Sequence, residues 1–221
     1  MTVRSGLPAA GPAPARAVIL KPCCLGDVLM ATALAAALKA AWPATRLDFA
    51  VGRYSRPALA GNPDVADVVD ASGCLRGERP ALAGPRLAWR LRRRRYGVAF
   101  VPDRSPITAV IARLAGIGVR VGLDSGGRGR WHTVRVPVPP DRHELLLYLD
   151  LARAAGVPVP DRPRPVFVPS AGDHARAAAL LAGAAGGPVG TRVAIHPGGG
   201  VNPGMTLLGK RWPPERFAAV A

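Results

Sequence analysis

Apolar residues along the chain fall into short continuous runs that alternate with helical stripes. Val18 to Leu20 is a run of three apolar residues, two of them β-branched, which suits a strand buried on both faces. From Asp27 a stretch of Val, Leu, Met and Ala continues to Ala41, and Pro43 forbids more helix. Arg46–Val51, Val65–Val69, Val98–Val101 and Val119–Leu123 read as further strands. Between them, Arg86 to Arg95 carries Leu87 and Leu91 at helical spacing, and Ile107, Val110, Ile111 and Leu114 fall at i, i+3, i+4 and i+7. Gly61-Asn-Pro63 signals a turn, and residues 71–85, rich in Gly and Pro, read as loop. His143 to Ala155 is predicted as a helix closed by Gly156 and Pro158. Prolines at 158, 160, 163, 165 and 169 then predict an extended connector. Ala171 to Ala184 reads as an Ala-rich helix and Gly186-Gly-Pro188 as a boundary. A fresh strand is expected at Val193–Ile195, leading into His196-Pro-Gly-Gly-Gly200, with a last helix over Pro213 to Ala221.

Strands alternating with helices predict an α/β protein with a mostly parallel sheet and right-handed crossovers. Four segments follow: a disordered lead-in over 1–16, one whole domain over 17–169, a connecting helix and linker over 170–189, and the start of a second domain over 190–221. In a parallel sheet the loops that follow the strands share one edge, where ligands bind. Those loops supply Cys23, Cys24, Gly26, Asp27, Arg53, Asp103, Arg104 and Asp124. Gly26 is expected to make the tight turn after the first strand, since it tolerates conformations closed to other residues. Asp27 has two readings, a cap on the first helical turn or a group that does chemistry. Arginine forks match phosphate and carboxylate geometrically, so an anionic substrate is inferred at this edge.

The formal charge is +16, carried almost wholly by arginine, with lysine only at 21, 39 and 210. Such a field attracts phosphates, nucleic acid or an anionic membrane surface, although an Arg-rich composition bias contributes as well. The densest run, Arg92 to Arg95, reads as a solvated helix end or as a contact with anionic lipid. Gly126 to Arg130 is a basic loop. Three cysteines, two of them adjacent, cannot staple a domain, so a reduced cytosolic setting is expected. The adjacent pair also lacks the spacing of metal ligands. No signal-peptide core is visible, and no run approaches the ~18–20 apolar residues of a membrane span. A non-catalytic, basic nucleic-acid-binding protein is the alternative that charge alone supports. Against it, the chain has no basic platform interleaved with aromatics and no recognition-helix motif. A dinucleotide oxidoreductase fits less well, because the first turn lacks Gly-x-Gly-x-x-Gly. His143 and His196 have a bland reading as hydrogen-bonded structural residues, and Trp212 as packing for the last helix.

Leu25-Gly-Asp-Val-Leu29 after a first strand resembles the N-terminal signature of the lipopolysaccharide heptosyltransferases, glycosyltransferase family 9. Ala194-Ile-His-Pro-Gly-Gly199, then Gly209-Lys-Arg-Trp-Pro-Pro-Glu-Arg-Phe217, is similar to the opening of that family's nucleotide-sugar domain. Asp141-Arg-His-Glu144, leading into a helix, is a weaker match between them. The resemblance implies a GT-B architecture of two Rossmann-like domains, the second truncated here, with the acceptor on the first and the nucleotide sugar on the second. It implies Asp27 as general base and a lipid-linked saccharide acceptor, which the sheet-edge reading would set against Gly26, Arg53, Arg104 and Arg128 as an anionic ligand. It further implies His196, Pro197, Gly198, Gly199 and Lys210 toward the donor. The donor would be a nucleotide-diphospho-sugar, ADP-heptose, with no metal and no other cofactor, and the enzyme would be cytoplasmic, touching the inner face of the plasma membrane. Relatives commonly carry Ser-Ser where this chain has Cys23-Cys24, and cysteine is the weaker hydrogen-bond donor. If 221 residues are the whole product, no turnover is expected.

Overall fold

The computed structural model describes residues 13–74, 80–183, 193–202 and 205–220. Most of the expected lead-in and the Gly186-Gly-Pro188 boundary lie outside the described residues. The chain divides into two compact units, residues 1–168 and 169–221.

The first unit is a six-stranded sheet, β1 Arg16–Leu20, β2 Arg46–Val51, β3 Asp67–Asp70, β4 Val98–Val101, β5 Val119–Asp124 and β6 Val134–Pro137. Its order is β3-β2-β1-β4-β5-β6 and every pairing is parallel. This is a doubly wound α/β fold, and the strand order reverses between β1 and β4. Alternate residues of the strands enter two separate cores, as the two-residue period of a strand requires. Ile19, Phe49, Phe100 and Leu123 pack with helices α1 (Leu25–Ala41) and α4 (Glu144–Ala154) on one face. Leu20, Ala50 and Val101 pack with α2 (Pro80–Arg93) and α3 (Pro106–Leu114) on the other. Near-continuous apolar runs were needed because the sheet is covered on both sides.

Two elements of this unit depart from the sequence reading. β6 was not anticipated; two of its residues, Val134 and Val136, are buried while Arg135 and Pro137 are exposed. It pairs only with β5, and such an edge strand tolerates Pro137. α2 begins at Pro80, inside the stretch expected to be loop, and carries Pro85 within it. Its packing against the sheet and α3 overrides the Gly/Pro composition, with Leu87, Ala88 and Leu91 buried in the same core as Ile111 and Ala112.

Where a charge is buried it is partnered. Asp48 of β2 is fully buried, and its Oδ2 accepts from Tyr96 Oη at 2.7 Å, Arg94 Nη1 at 3.0 Å and Arg16 Nη2 at 3.2 Å. Residues 157–168 form the expected extended connector, tied back where the Val166 N–H donates to Thr32 Oγ1 of α1 at 2.7 Å.

The second unit contains α5 (Ala171–Gly183), a two-stranded antiparallel hairpin of β7 (Val201–Asn202) and β8 (Met205–Thr206), a 3₁₀ turn over Leu208–Lys210, and α6 (Pro214–Val220). The strand expected at Val193–Ile195 is not formed. Val193 and Ile195 are 79% and 42% exposed and irregular, and β-propensity alone does not make a strand without a pairing partner.

Candidate functional site

The β1 loop brings a carboxylate to the sheet edge at the point where strand order reverses. Lys21 and Pro22 leave the strand, Cys24 becomes the N-cap of α1, and Asp27 sits on its first turn. The helix therefore starts at Leu25, two residues before the sequence suggested. Gly26 lies inside that first turn rather than making a tight bend, and a Cβ placed there would meet nothing within 4 Å. The absence of a side chain at Gly26 thus opens the approach to its neighbour. The capping reading of Asp27 has a rival in the structure, because Asp27 Oδ2 pairs with Lys21 Nζ at 3.0 Å. The Asp27 side chain is 35% exposed, whereas that of Lys21 is 10% exposed. The buried ammonium therefore orients a carboxylate that water and ligands can reach.

Three residues of α4 and the β4 loop complete this corner. Tyr148 is fully buried beneath it, with Lys21 Nζ 5.9 Å from its ring centroid. Its hydroxyl is held far above the ordinary phenol range, first by burial, then by the negative charges of Asp27, Glu144 and Asp103 and by a hydrogen bond to Glu144. Tyr148 is therefore a neutral donor at any working pH. Glu144, one helical turn before Tyr148, also pairs with Arg104 from the loop after β4. That loop is fixed locally: Asp103 Oδ1 accepts from the Ser105 N–H, and Ser105 caps α3. His143 caps α4 through Nδ1, which accepts from the Leu145 N–H at 3.3 Å, so this histidine has a structural task.

The other predicted arginines follow different strands from Asp27. Arg53 follows β2, one strand from β1; its backbone N–H donates to Ser72 Oγ at 2.9 Å, and its charge acts on Asp70. Arg128 is exposed in the turn after β5, two strands from β1. Strands lie about 4.8 Å apart, so the loops that carry Arg53, Arg104 and Arg128 are strung along the edge. Asp124 is occupied in building the turn that carries Arg128, accepting from the Gly129 N–H at 2.9 Å. Cys23 and Cys24, expected as two thiols, are joined as a disulfide between neighbours, which links no two elements.

In the second unit, His196, Pro197, Gly198 and Gly199 form an exposed irregular loop. It folds back on the segment that follows the hairpin: Gly200 O accepts from the Leu207 N–H at 2.6 Å, and Arg211 Nε donates to Gly199 O at 3.1 Å. Gly200 has φ +76°, and a Cβ there would collide with the Leu207 carbonyl, so this return requires glycine. Lys210, exposed at the end of the 3₁₀ turn, is thereby held beside the glycine loop. Trp212 packs edge-on against Phe217 of α6 at 4.9 Å.

The reading of the residues found Asp27 and Arg104 but not Lys21, Glu144 or Tyr148. Lys21 carried a signal, being one of three lysines in a chain whose cations are otherwise arginine. Glu144 and Tyr148, four apart on a helix, share a face, but nothing local says that the face meets the β1 loop. Among the described residues, no group of three or more His, Cys, Asp or Glu could hold a metal ion. Nor, among them, is any helix long and apolar enough to cross a membrane.

A parallel sheet with reversed strand order and an accessible carboxylate at the reversal defines a doubly wound α/β protein. The sequence model of glycosyltransferase family 9 (heptosyltransferase) matches residues 85–221, more than half of the chain, and the protein belongs to that family. That match does not include the turn bearing Asp27. Among solved structures, the glycosyl transferase family 9 protein from Veillonella parvula DSM 2008 is similar over 93% of this chain and 58% of its own, at 17% identity and a TM-score of 0.70. E. coli ADP-heptose lps heptosyltransferase II is similar over 75% of this chain and 50% of its own, at 22% identity and a TM-score of 0.61. E. coli heptosyltransferase WaaC with ADP-2-deoxy-2-fluoro heptose is similar over 66% and 50%, at 18% identity and a TM-score of 0.56. The fold is thus the α/β, Rossmann-like fold of GT-B glycosyltransferases, and the chain spans about half the length of these structures. Curated proteins give no match.

Proposed function

We propose that the protein transfers a heptose from ADP-heptose to a lipopolysaccharide core acceptor, with Asp27 as general base. The observation that carries this reading is the half-exposed Asp27 carboxylate at the β1–β4 reversal, oriented by Lys21. One oxygen, Oδ2, is given to the ammonium, and Oδ1 takes the proton of an acceptor hydroxyl. The hydroxyl oxygen bonds to the anomeric carbon, the bond from that carbon to the diphosphate oxygen breaks, and ADP leaves with the electron pair. Arg104 lies beside the acceptor, and Arg53 and Arg128 flank it further along the edge. Gly26 leaves room for the sugar to approach. In the second unit the His196–Gly199 loop and Lys210 bind the donor, the lysine opposing the charge that develops on the leaving diphosphate. The acceptor is lipid-linked, which sets the reaction at the inner face of the plasma membrane.

The chain spans about half the length of the similar structures, so transfer is measured on a fusion with the C-terminal half of one of them. Asp27→Asn is expected to lower kcat by ~10²–10⁴-fold with donor affinity nearly unchanged; wild-type turnover would remove Asp27 from the role of base. Lys210→Ala is expected to weaken donor binding, and an unaltered donor affinity refutes that assignment.

A further inference from the structure

We infer that the outer face of α2, together with the groove it forms with α3, docks on an anionic lipid bilayer. α2 has two sides of different chemistry. Leu87 and Leu91 are buried against the sheet, while Leu82, Pro85, Arg86, Trp89 and Arg93 recur at i, i+3, i+4, i+7 and i+11 on the exposed side. Leu82 and Trp89 are 59% and 57% exposed, a placement without benefit in water alone. The Arg93 guanidinium lies 4.8 Å from the Trp89 ring centroid, so a cation covers the indole face. Next to this stripe is an apolar groove of about 460 Å³ lined by Gly84, Pro85, Ile107, Val110, Leu114 and Trp131. Its rim is again basic, with Trp131 stacked by Arg113 at 5.2 Å and by Arg130 at 5.1 Å.

Charge identifies the occupant. No Asp or Glu occurs from Pro80 to Pro102, nor from Arg104 to Leu123, so both helices are purely cationic. Arg94 turns inward to Asp48 and Asp67, but Arg86, Arg92, Arg93 and Arg95 remain exposed. A surface that offers Trp and Leu between arginines matches the headgroup region of a bilayer, where indole and aliphatic groups sink and guanidinium groups meet lipid phosphates. A nucleic acid would use the same cations, but arginines already cover the indole rings of Trp89 and Trp131, and Ile107, Val110 and Leu114 offer bases no stacking faces.

The full chain is sedimented with vesicles of phosphatidylcholine alone and of phosphatidylcholine with about one-third phosphatidylglycerol, with and without competing RNA. Binding is expected on the anionic vesicles and not on the neutral ones, with weakening by salt. The Arg86→Gln/Arg93→Gln variant is expected to lose about 30-fold in partition, at the strength of a basic residue near such a surface. Blue-shifted tryptophan emission on binding, smaller in Trp89→Phe and smaller again when Trp131→Phe is added, would place both rings in the lipid. Equal partition of the double variant, equal binding to neutral vesicles, or binding to RNA with none to vesicles would each overturn the inference. The substituted side chains are exposed, and a melting curve for each variant separates loss of binding from loss of fold.

Discussion

Leu34 and Leu180 sit in similar Ala-rich helical runs, yet Leu34 is fully buried and Leu180 is 75% exposed. The difference belongs to their units. α1 lies on a six-stranded sheet and gives up one face to Ile19, Phe49 and Leu151. α5 has no buried residue, and neither does the rest of the second unit among its described residues. Helix propensity is therefore satisfied in both places, while burial is achieved in one. A 13-residue helix without a packed face has little holding it beyond its own backbone bonds. The buried core lies in the first unit, and the sheet packed within it carries Asp27 at its edge.

That contrast can be broken or sharpened by substitution. The largest effect is expected at Asp48, where replacement by Ala leaves the half-buried guanidinium groups of Arg16 and Arg94 and the Tyr96 hydroxyl without their shared acceptor. Urea unfolding should show a loss of ~3–5 kcal/mol; a loss below ~1 kcal/mol would mean that this network does not anchor β2. Next is acid. His132 packs on Gly122 so closely that a Cβ there would collide with the ring, and burial, reinforced by the Arg120 charge, pushes its pKa down from 6.5 to about 4. The unfolded chain then takes up a proton that the folded chain refuses, so stability is full above pH ~6.5 and falls as the pH drops toward 4. The gap is worth about 3 kcal/mol, read as a falling urea midpoint. His132→Gln should flatten that slope, and an unchanged slope would assign it to other groups. The smallest effect is expected at Leu180→Ala, within ~0.5 kcal/mol; a larger loss would show that the second unit buries this side chain in solution.

Much of this was legible from the residues. β2 and β4 fall where their apolar runs lie, Arg46–Val51 and Val98–Val101, because a strand covered on both faces leaves a continuous signature. Asp27 was legible because strand, glycine and helix adjoin in sequence. β6 was hidden by the proline that an edge position tolerates, and the start of α2 by Gly84 and Pro85, whose composition reads as loop until the burial of Leu87 and Leu91 is known. The partners of Asp27 were divided: Lys21 is six residues away, whereas Glu144 and Tyr148 arrive only through the packing of α4 on α1. The spread of Arg53, Arg104 and Arg128 is set by the strand order, and composition alone carries no information about that order.

The direct test of the central claim is chemical rescue at position 27. In the fusion that performs transfer, Asp27→Ala removes the carboxylate beside a site already open at Gly26. Turnover should fall ~10²–10⁴-fold and recover in part as formate is added, with chloride at equal ionic strength giving no recovery. Turnover by Asp27→Ala equal to that of the unaltered protein, with formate irrelevant, would contradict the assignment of the carboxylate at the β1–β4 reversal as the base.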